Sequence, residues 1–232
     1  MDRFEYKYIV SIEKAKELSS FLAEVSERDS NGINGQYNVL SLYYDTSSLD
    51  CFYENVEGMR FRKKLRFRNY DADNEFSKVF IEMKCREKHR IFKKRVGMHR
   101  DQIASWNNIE ENSFDSLKEK LWFTEISTFF DRKQLKPCVY THYRREAFVC
   151  NGKDQNRFTL DFELSGSQAA ELFLGRGVCE GMVPLLPPSQ VVFEAKGYQT
   201  LPAWFSDIVH RFGLKKTRFS KFVEAVKQTR LK

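Results

Sequence analysis

Residues 60–68 read R-F-R-K-K-L-R-F-R, and their spacing decides how the rest of the chain is read. Taken with a period of two, Arg60, Arg62, Lys64, Arg66 and Arg68 fall on one side, and Phe61, Lys63, Leu65 and Phe67 on the other. A strand sends alternate side chains to opposite faces, so the stretch predicts a strand with one cationic and one mostly apolar face. A helix would scatter both sets around its axis. Taken alone, such a run also fits a surface strand with a solvated basic edge. The same alternation recurs along the chain, which is what gives it weight.

Working outward, Arg3 to Val10 reads as a strand with Arg3, Glu5 and Lys7 opposite Phe4, Tyr6 and Tyr8. Ser11 is placed to cap a helix carrying Ile12, Ala15, Leu18, Leu22 and Val25 at helical spacing. Val39 to Asp45 predicts a second strand, and Thr46 to Asn55 a turn or short helix. After the cationic strand, Tyr70 to Phe76 reads as a polar hairpin connection. Lys78 to Arg86 then returns with Glu82 and Lys84 opposite Val79, Ile81 and Met83. Ile91 to Val96 continues basic. Arg100 to Lys133 is helical by pattern, and strands resume at Pro137 to Cys150, Arg157 to Glu163 and Val191 to Lys196. Two helical stretches, residues 201–212 and 219–229, end the chain. Trp122, Trp204 and the phenylalanines are expected where helices pack on strands.

The 232 residues carry 41% hydrophobic and 15% aromatic side chains, including 21 Phe, enough for a sizeable core in a single domain over 1–232. A net charge of +7 and a pI near 9.1 point to an anionic partner: nucleic acid, a phosphorylated small molecule, a polyanion or an acidic membrane surface. Cys51, Cys85, Cys138, Cys150 and Cys179 include no C-x-x-C pair, which argues against a disulfide framework or a zinc site and for a reducing, cytoplasmic setting. No signal-peptide pattern and no membrane-length apolar run is present.

Strands that are charged on one face and apolar on the other, accompanied by amphipathic helices, have two arrangements. Either the charged faces meet water, or helices cover the apolar faces and the charged faces point inward. The second predicts an α+β fold with a closed or nearly closed antiparallel barrel of about eight strands. Its charged lumen would be unstable without a bound anion, because unpaired buried charges are costly.

Eight short segments then carry a family resemblance: R-F-E-Y-K-Y (3–8), S-L-Y-Y-D-T (41–46), K-L-R-F-R (64–68), I-E-M-K (81–84), Y-R-R-E-A-F (143–148), R-F-T-L-D (157–161), F-E-A-K (193–196) and F-S-K-F (219–222). In this order they resemble the VTC-type polyphosphate polymerase domain, a branch of the CYTH-like triphosphate tunnel metalloenzymes. The resemblance implies a strand-built tunnel that binds a triphosphate and a divalent metal, Mn²⁺ or Mg²⁺. In the polymerase branch a growing polyphosphate chain attacks the γ-phosphate of ATP and releases ADP.

Carried over by position, Arg66, Arg68, Lys84, Arg145 and Lys221 are the catalytic candidates. Lys7, Lys196, Tyr143, Ser220 and Arg218 join them as phosphate ligands. One of Lys93 and Lys94 adds a further contact; the resemblance does not separate them, and Lys94 is taken. Glu194 is the metal ligand. Glu5 fits the tunnel enzymes' E-x-E-x-K pattern only in part, because position 3 is Arg, which argues against a plain two-metal triphosphatase. Asp161 is expected to serve as a charge partner for a buried cation.

These residue types suit phosphoryl transfer, which rests on positioning and charge neutralisation. Arg offers a planar fork to phosphate and Lys a compact charge. A hard divalent ion held mainly by phosphate and water needs only one or two carboxylates. A tunnel triphosphatase acting on tripolyphosphate or nucleoside triphosphates is the rival enzyme, and a non-catalytic polyphosphate-binding module the rival outside enzymology. Nucleic acid is not expected as a partner, since no recognised binding motif is present. A membrane-associated partner and the oligomeric state stay open.

Overall fold

The structure is a computed structural model that describes residues 4–70, 78–88, 90–103, 105–109, 114, 116–150, 156–169, 181–197 and 200–231. Arg3 and most of the expected hairpin connection at Tyr70 to Phe76 lie outside them. The chain forms two compact units, one from Met1–Asn38, His142–Ser165 and Pro184–Lys221, the other from Val39–Thr141, Gly166–Val183 and Phe222–Lys232. The α+β class and the antiparallel strands expected from the alternation are both found.

β1 (Phe4–Ser11) pairs with β10 (Gln190–Gly197), β10 with β8 (Asn156–Gln168), and β8 neighbours β7 (Lys136–Cys150), the first unit holding all of these but residues 136–141 and 166–168. The short β2 (Glu27–Arg28) pairs with β7, and β9 (Val183–Pro184) with β8. The Ser11 side chain accepts a hydrogen bond from the Lys14 N–H at 3.3 Å, which starts α1 (Ile12–Val25) at the expected cap. Ala15, Leu18 and Leu22 on the inner side of α1 are fully buried. They pack into a cluster with Tyr8, Phe158, Leu160 and Phe193 of the strands and Phe205 and Ile208 of α4 (Trp204–Arg211). Each leucine so buried is worth roughly 1.5–3 kcal/mol. Tyr8 lies opposite Phe193, and Phe193 opposite Leu160, so one sheet face is aromatic and apolar. The neighbouring positions, Lys7 opposite Glu194 and Glu194 opposite Thr159, must point to the other face.

In the second unit the strand order is β3 (Gln36–Asp45), β4 (Phe61–Tyr70), β5 (Val79–Glu87) and β6 (Arg90–Met98). The cationic stretch is β4, as its period requires. Leu65 and Phe67 are buried on the face that α3 (Leu117–Lys133) helps to cover. Tyr44 and Phe67 meet edge to face at 5.3 Å between ring centroids, and Trp106 and Phe130 at 4.8 Å. Such pairs add to plain area burial.

The pattern predicts helix across Arg100 to Lys133, but the described part differs. Two single turns at Arg100–Gln102 and Trp106–Asn108 precede α3. Ser105 and Asn108 are poor helix formers, and the buried Trp106 ring holds the segment on the core. Trp106 is therefore the indole of this core. Trp122 is half-buried, with Lys118 over its ring at 4.5 Å.

The helix α2 (Asp50–Val56) has no cap of its own and is held instead by Asp45, at the end of β3. One Asp45 oxygen accepts from the N–H groups of Thr46 and Cys51 at 2.7 and 2.8 Å, the other from Phe52 at 2.9 Å. Asp45 is 1% exposed, so water cannot replace it. Asp45→Ala is expected to cost about 2–4 kcal/mol by stranding buried donors. Chemical denaturation checks this, and an unchanged midpoint would exclude the capping role.

Candidate phosphate-binding clusters

The polar face of the first unit collects its charges around Glu194. Alternation along β10 puts Glu194 and Lys196 on one side, register brings Lys7 of β1 across from Glu194, and β7 and β8 supply Arg145 and Asp161. Residues 216–220 run beside β1, through a bridge from Tyr8 to Lys216 and a 2.8 Å bond from the Thr217 N–H to the Lys7 carbonyl. That path delivers Lys221, the first residue of α5 (Lys221–Thr229), to the same place.

Glu194 is 3% exposed and lies within 3.4 Å of both Lys7 and Lys221, within 4.0 Å of Arg145, and in contact with Lys196. Asp161, fully buried, takes the Arg145 fork at 2.6 and 2.8 Å and Lys221 at 2.6 Å. This is the charge-partner role expected of it. Lys7 also reaches Glu5 at 3.0 Å and donates to the Phe219 carbonyl at 2.9 Å. Tyr143 places its ring 4.6 Å from the Lys221 ammonium and 5.2 Å from the Arg145 guanidinium.

Burial alone would push the Glu194 carboxyl up, but Lys196, Lys221, Lys7 and Arg145 outweigh it and hold the group well below the usual range. Asp161 is lowered in the same way, with Arg145 and Lys221 overcoming burial. The lysines divide. Burial lowers all three, yet Lys7 ends raised by Glu194 and Glu5, and Lys221 raised by Asp161 and Glu194. Lys196 ends lowered to about 8, since Glu194 and Glu5 only partly offset its burial and Arg145 repels it.

The polar face of the second unit has its own centre, Glu82. It is 1% exposed and meets Arg66 at 2.6 Å, Lys93 at 2.8 Å and Arg95 at 3.4 Å. The register explains the grouping: Arg66 is opposite Glu82 and Glu82 opposite Arg95, while Lys64, Lys84 and Lys93 fall in line one pair along. Arg66 also donates to the Tyr43 hydroxyl at 2.8 Å, and Arg68 to Ser41 at 3.0 Å. Ser41 and Tyr43 of S-L-Y-Y-D-T are thus polar-face residues, while Tyr44 belongs to the core. Burial would raise Glu82, but Arg66, Arg68 and Lys93 hold it well below the usual carboxylate range.

Of the site residues expected from the sequence, Lys7, Tyr143, Arg145, Glu194, Lys196 and Lys221 come together in the first unit. Arg66, Arg68 and Lys84 share a face in the second. Arg218 is exposed and Ser220 half-buried on the strip that leads to Lys221. Lys94 requires correction. It sits opposite Met83, on the face that α3 covers, and is ion-paired with Glu125. Lys93, one residue earlier, takes the polar face. Glu82 and Arg95 were not anticipated; the signal was Glu82 sharing its strand face with Lys84.

Among the described residues no group of three or more His, Cys, Asp or Glu side chains is placed to hold a metal ion. Glu194, ringed by four cations, fits a divalent ion only if phosphate and water oxygens provide most of its ligands and charge.

Antiparallel strands with buried carboxylates wrapped by cations on their polar faces are the features that the comparisons can be set against. Solved structures share the fold. PH1819 protein from Pyrococcus horikoshii OT3 is 14% identical with a TM-score of 0.53, and the match covers 97% of this chain and 99% of that one. A putative adenylate cyclase from Bacillus halodurans is 15% identical with a TM-score of 0.53, covering 95% and 96%. A putative adenylyl cyclase from Hippeastrum is 16% identical with a TM-score of 0.54, covering 99% and 97%. No curated protein matches the sequence. The VTC domain family matches residues 2–230, and the chain belongs to that family.

Proposed function

We propose that residues 1–232 act as one domain, an ATP-dependent polyphosphate polymerase. The terminal phosphate of a polyphosphate chain forms a new P–O bond to the γ-phosphorus of ATP, the γ-phosphorus to β-oxygen bond breaks, and ADP leaves. The observation that carries the reading is the state of the buried carboxylates. Glu194, Asp161 and Glu82 are held ionised by Lys and Arg, well suited to ordering cations around a polyphosphate and poorly suited to taking a proton from water. A phosphate nucleophile is already ionised and needs no base.

In this reading Lys7, Arg145, Lys196 and Lys221 bind and neutralise phosphate oxygens in the first unit, with Tyr143, Ser220 and Arg218 beside them. Arg66, Arg68, Lys84 and Lys93 do so in the second. Glu194 would hold Mn²⁺ or Mg²⁺, which supplies charge neutralisation on the transferred phosphoryl group. The second reading is hydrolysis: the Hippeastrum protein has a dominant triphosphatase activity. Incubation with ATP, Mn²⁺ and a short polyphosphate primer separates the two. Elongated chains with stoichiometric ADP support the polymerase; orthophosphate without elongation makes the protein a triphosphatase. Polyphosphate binding without turnover leaves a binding module.

The adjacent lysines give a sharper check. Lys93→Ala is expected to weaken tripolyphosphate binding roughly tenfold, the worth of one charge-assisted contact. Lys94→Ala, on the helix-covered face, should change it less than about twofold. Calorimetric titration at fixed salt reads both, and equal effects would refute the assignment.

A further inference from the structure

The side of the second unit away from Glu82 carries a cavity of about 510 Å³ between α3 and the start of β4 and end of β5. It lies on the far side of the sheet for a simple reason. Lys63 pairs across with Cys85, and this pair alternates with Lys64 and Lys84, which face the polar side. The cavity is therefore distinct from the phosphate-binding residues.

Its walls include Phe61, Phe129 and Cys85, with Thr124 and Thr128 of α3. Phe61 is 61% exposed, an unusual state for so large an apolar side chain at the mouth of a cavity. Lys63 and Arg132 bring positive charge to its lining, and Lys63 stands 5.4 Å over the Phe129 ring. Two of the three carboxylates that line the cavity are already engaged, Glu54 with Lys133 at 3.3 Å and Glu125 with Lys94. No carboxylate lies within ion-pair distance of Lys63 or Arg132 among the described residues. The volume falls in the small-ligand range, and apolar walls with a few convergent charges are the usual make-up of such sites.

We propose that this cavity is a second ligand site, for a small amphipathic anion: an apolar body of ring or acyl type resting on Phe61 and Phe129, with its anionic group held by Lys63 and Arg132. A phosphate chain with no apolar body would have no hold on the Phe walls and is not the ligand.

Anilinonaphthalene sulfonate, an aromatic anion that fluoresces when shielded from water, is the probe. Saturable binding to the full chain is expected, weakened at least about tenfold in the Lys63→Glu, Arg132→Glu double variant. It should be abolished by Thr128→Trp, which fills the cavity from an exposed helix position. The uncharged phenylnaphthylamine should lose affinity only in Thr128→Trp. Displacement by a nucleoside monophosphate identifies the ring source, and displacement by laurate the acyl source. Tripolyphosphate should displace neither dye. Dye binding unchanged in both variants, or its absence from the folded wild-type chain, overturns the proposal. Tripolyphosphate affinity and any ATP turnover should be the same in all these proteins, so the test stands apart from the polymerase reading.

Discussion

Replacing Glu194 with alanine is expected to destabilise the protein by about 3–5 kcal/mol, the range for removing one partner of a buried charge cluster. The loss follows from what remains: Lys7, Lys196, Lys221 and Arg145 keep their places around a buried point from which one of the anions is gone. Asp161 still serves Arg145 and Lys221, and Glu5 still meets Lys7 at 3.0 Å, so Lys196 bears the largest share. A ligand that replaces the missing charge should reverse the effect. Tripolyphosphate at a hundred times its dissociation constant adds about 2.7 kcal/mol by mass action alone. Its affinity should also rise in the variant, since one internal carboxylate fewer competes for the lysines. Urea unfolding with and without tripolyphosphate tests both. A midpoint unmoved by the substitution, or one that tripolyphosphate cannot shift, would remove Glu194 from the centre of the site. Turnover should be lost in either case if Glu194 holds the metal.

Acid should unfold this protein over a narrow range. Glu194, Asp161 and Glu82 all have folded values depressed below their ordinary ones. Each therefore contributes stability that is present above pH 4 and lost as the pH falls through its folded value. In that window the folded state binds fewer protons than the unfolded chain. Each group then removes about 1.4 kcal/mol per pH unit, and three together about 4 kcal/mol per pH unit. Asp45, raised by burial, acts with the opposite sign, but in a window above pH 4. Urea midpoints measured from pH 5 to pH 2 give the slope directly. The slope should fall by about one third in Asp161→Asn, and a slope near one proton in the parent protein would contradict the buried clusters.

Much of this fold can be read directly from the chain. The period of β4 separates Leu65 and Phe67 from Arg66 and Arg68, and the Ser11 cap and the Ala15, Leu18, Leu22 spacing define α1. Asp161 is legible as a counter-charge because it shares a strand face with other polar residues while Phe158 and Leu160 take the other. What is not legible depends on register between strands. Lys93 and Lys94 are chemically identical neighbours, and only the pairing of β6 with β5 decides which one meets Glu82. Glu82 itself, a lone carboxylate in I-E-M-K, becomes the centre of a cluster through Arg66 on one side and Arg95 on the other. The segment before α3 has helical composition in part, but the Trp106 ring docks in the core, and its described residues form single turns. Helix propensity is a weak guide where one large side chain fixes the backbone.

The two-sidedness of β4 also limits how this gene can change length. From Lys64 to Arg68 it alternates between polar face and core, with hydrogen-bonded neighbours on both edges. Losing or gaining one codon inside the strand would exchange the two sets, burying Arg66 and Arg68 among Tyr44 and Trp106 and exposing Phe67. Such a lesion would be lethal to folding, whereas many single substitutions at the same positions would only weaken function. Homologues should therefore differ in length between strands, and within β4 only in residue type.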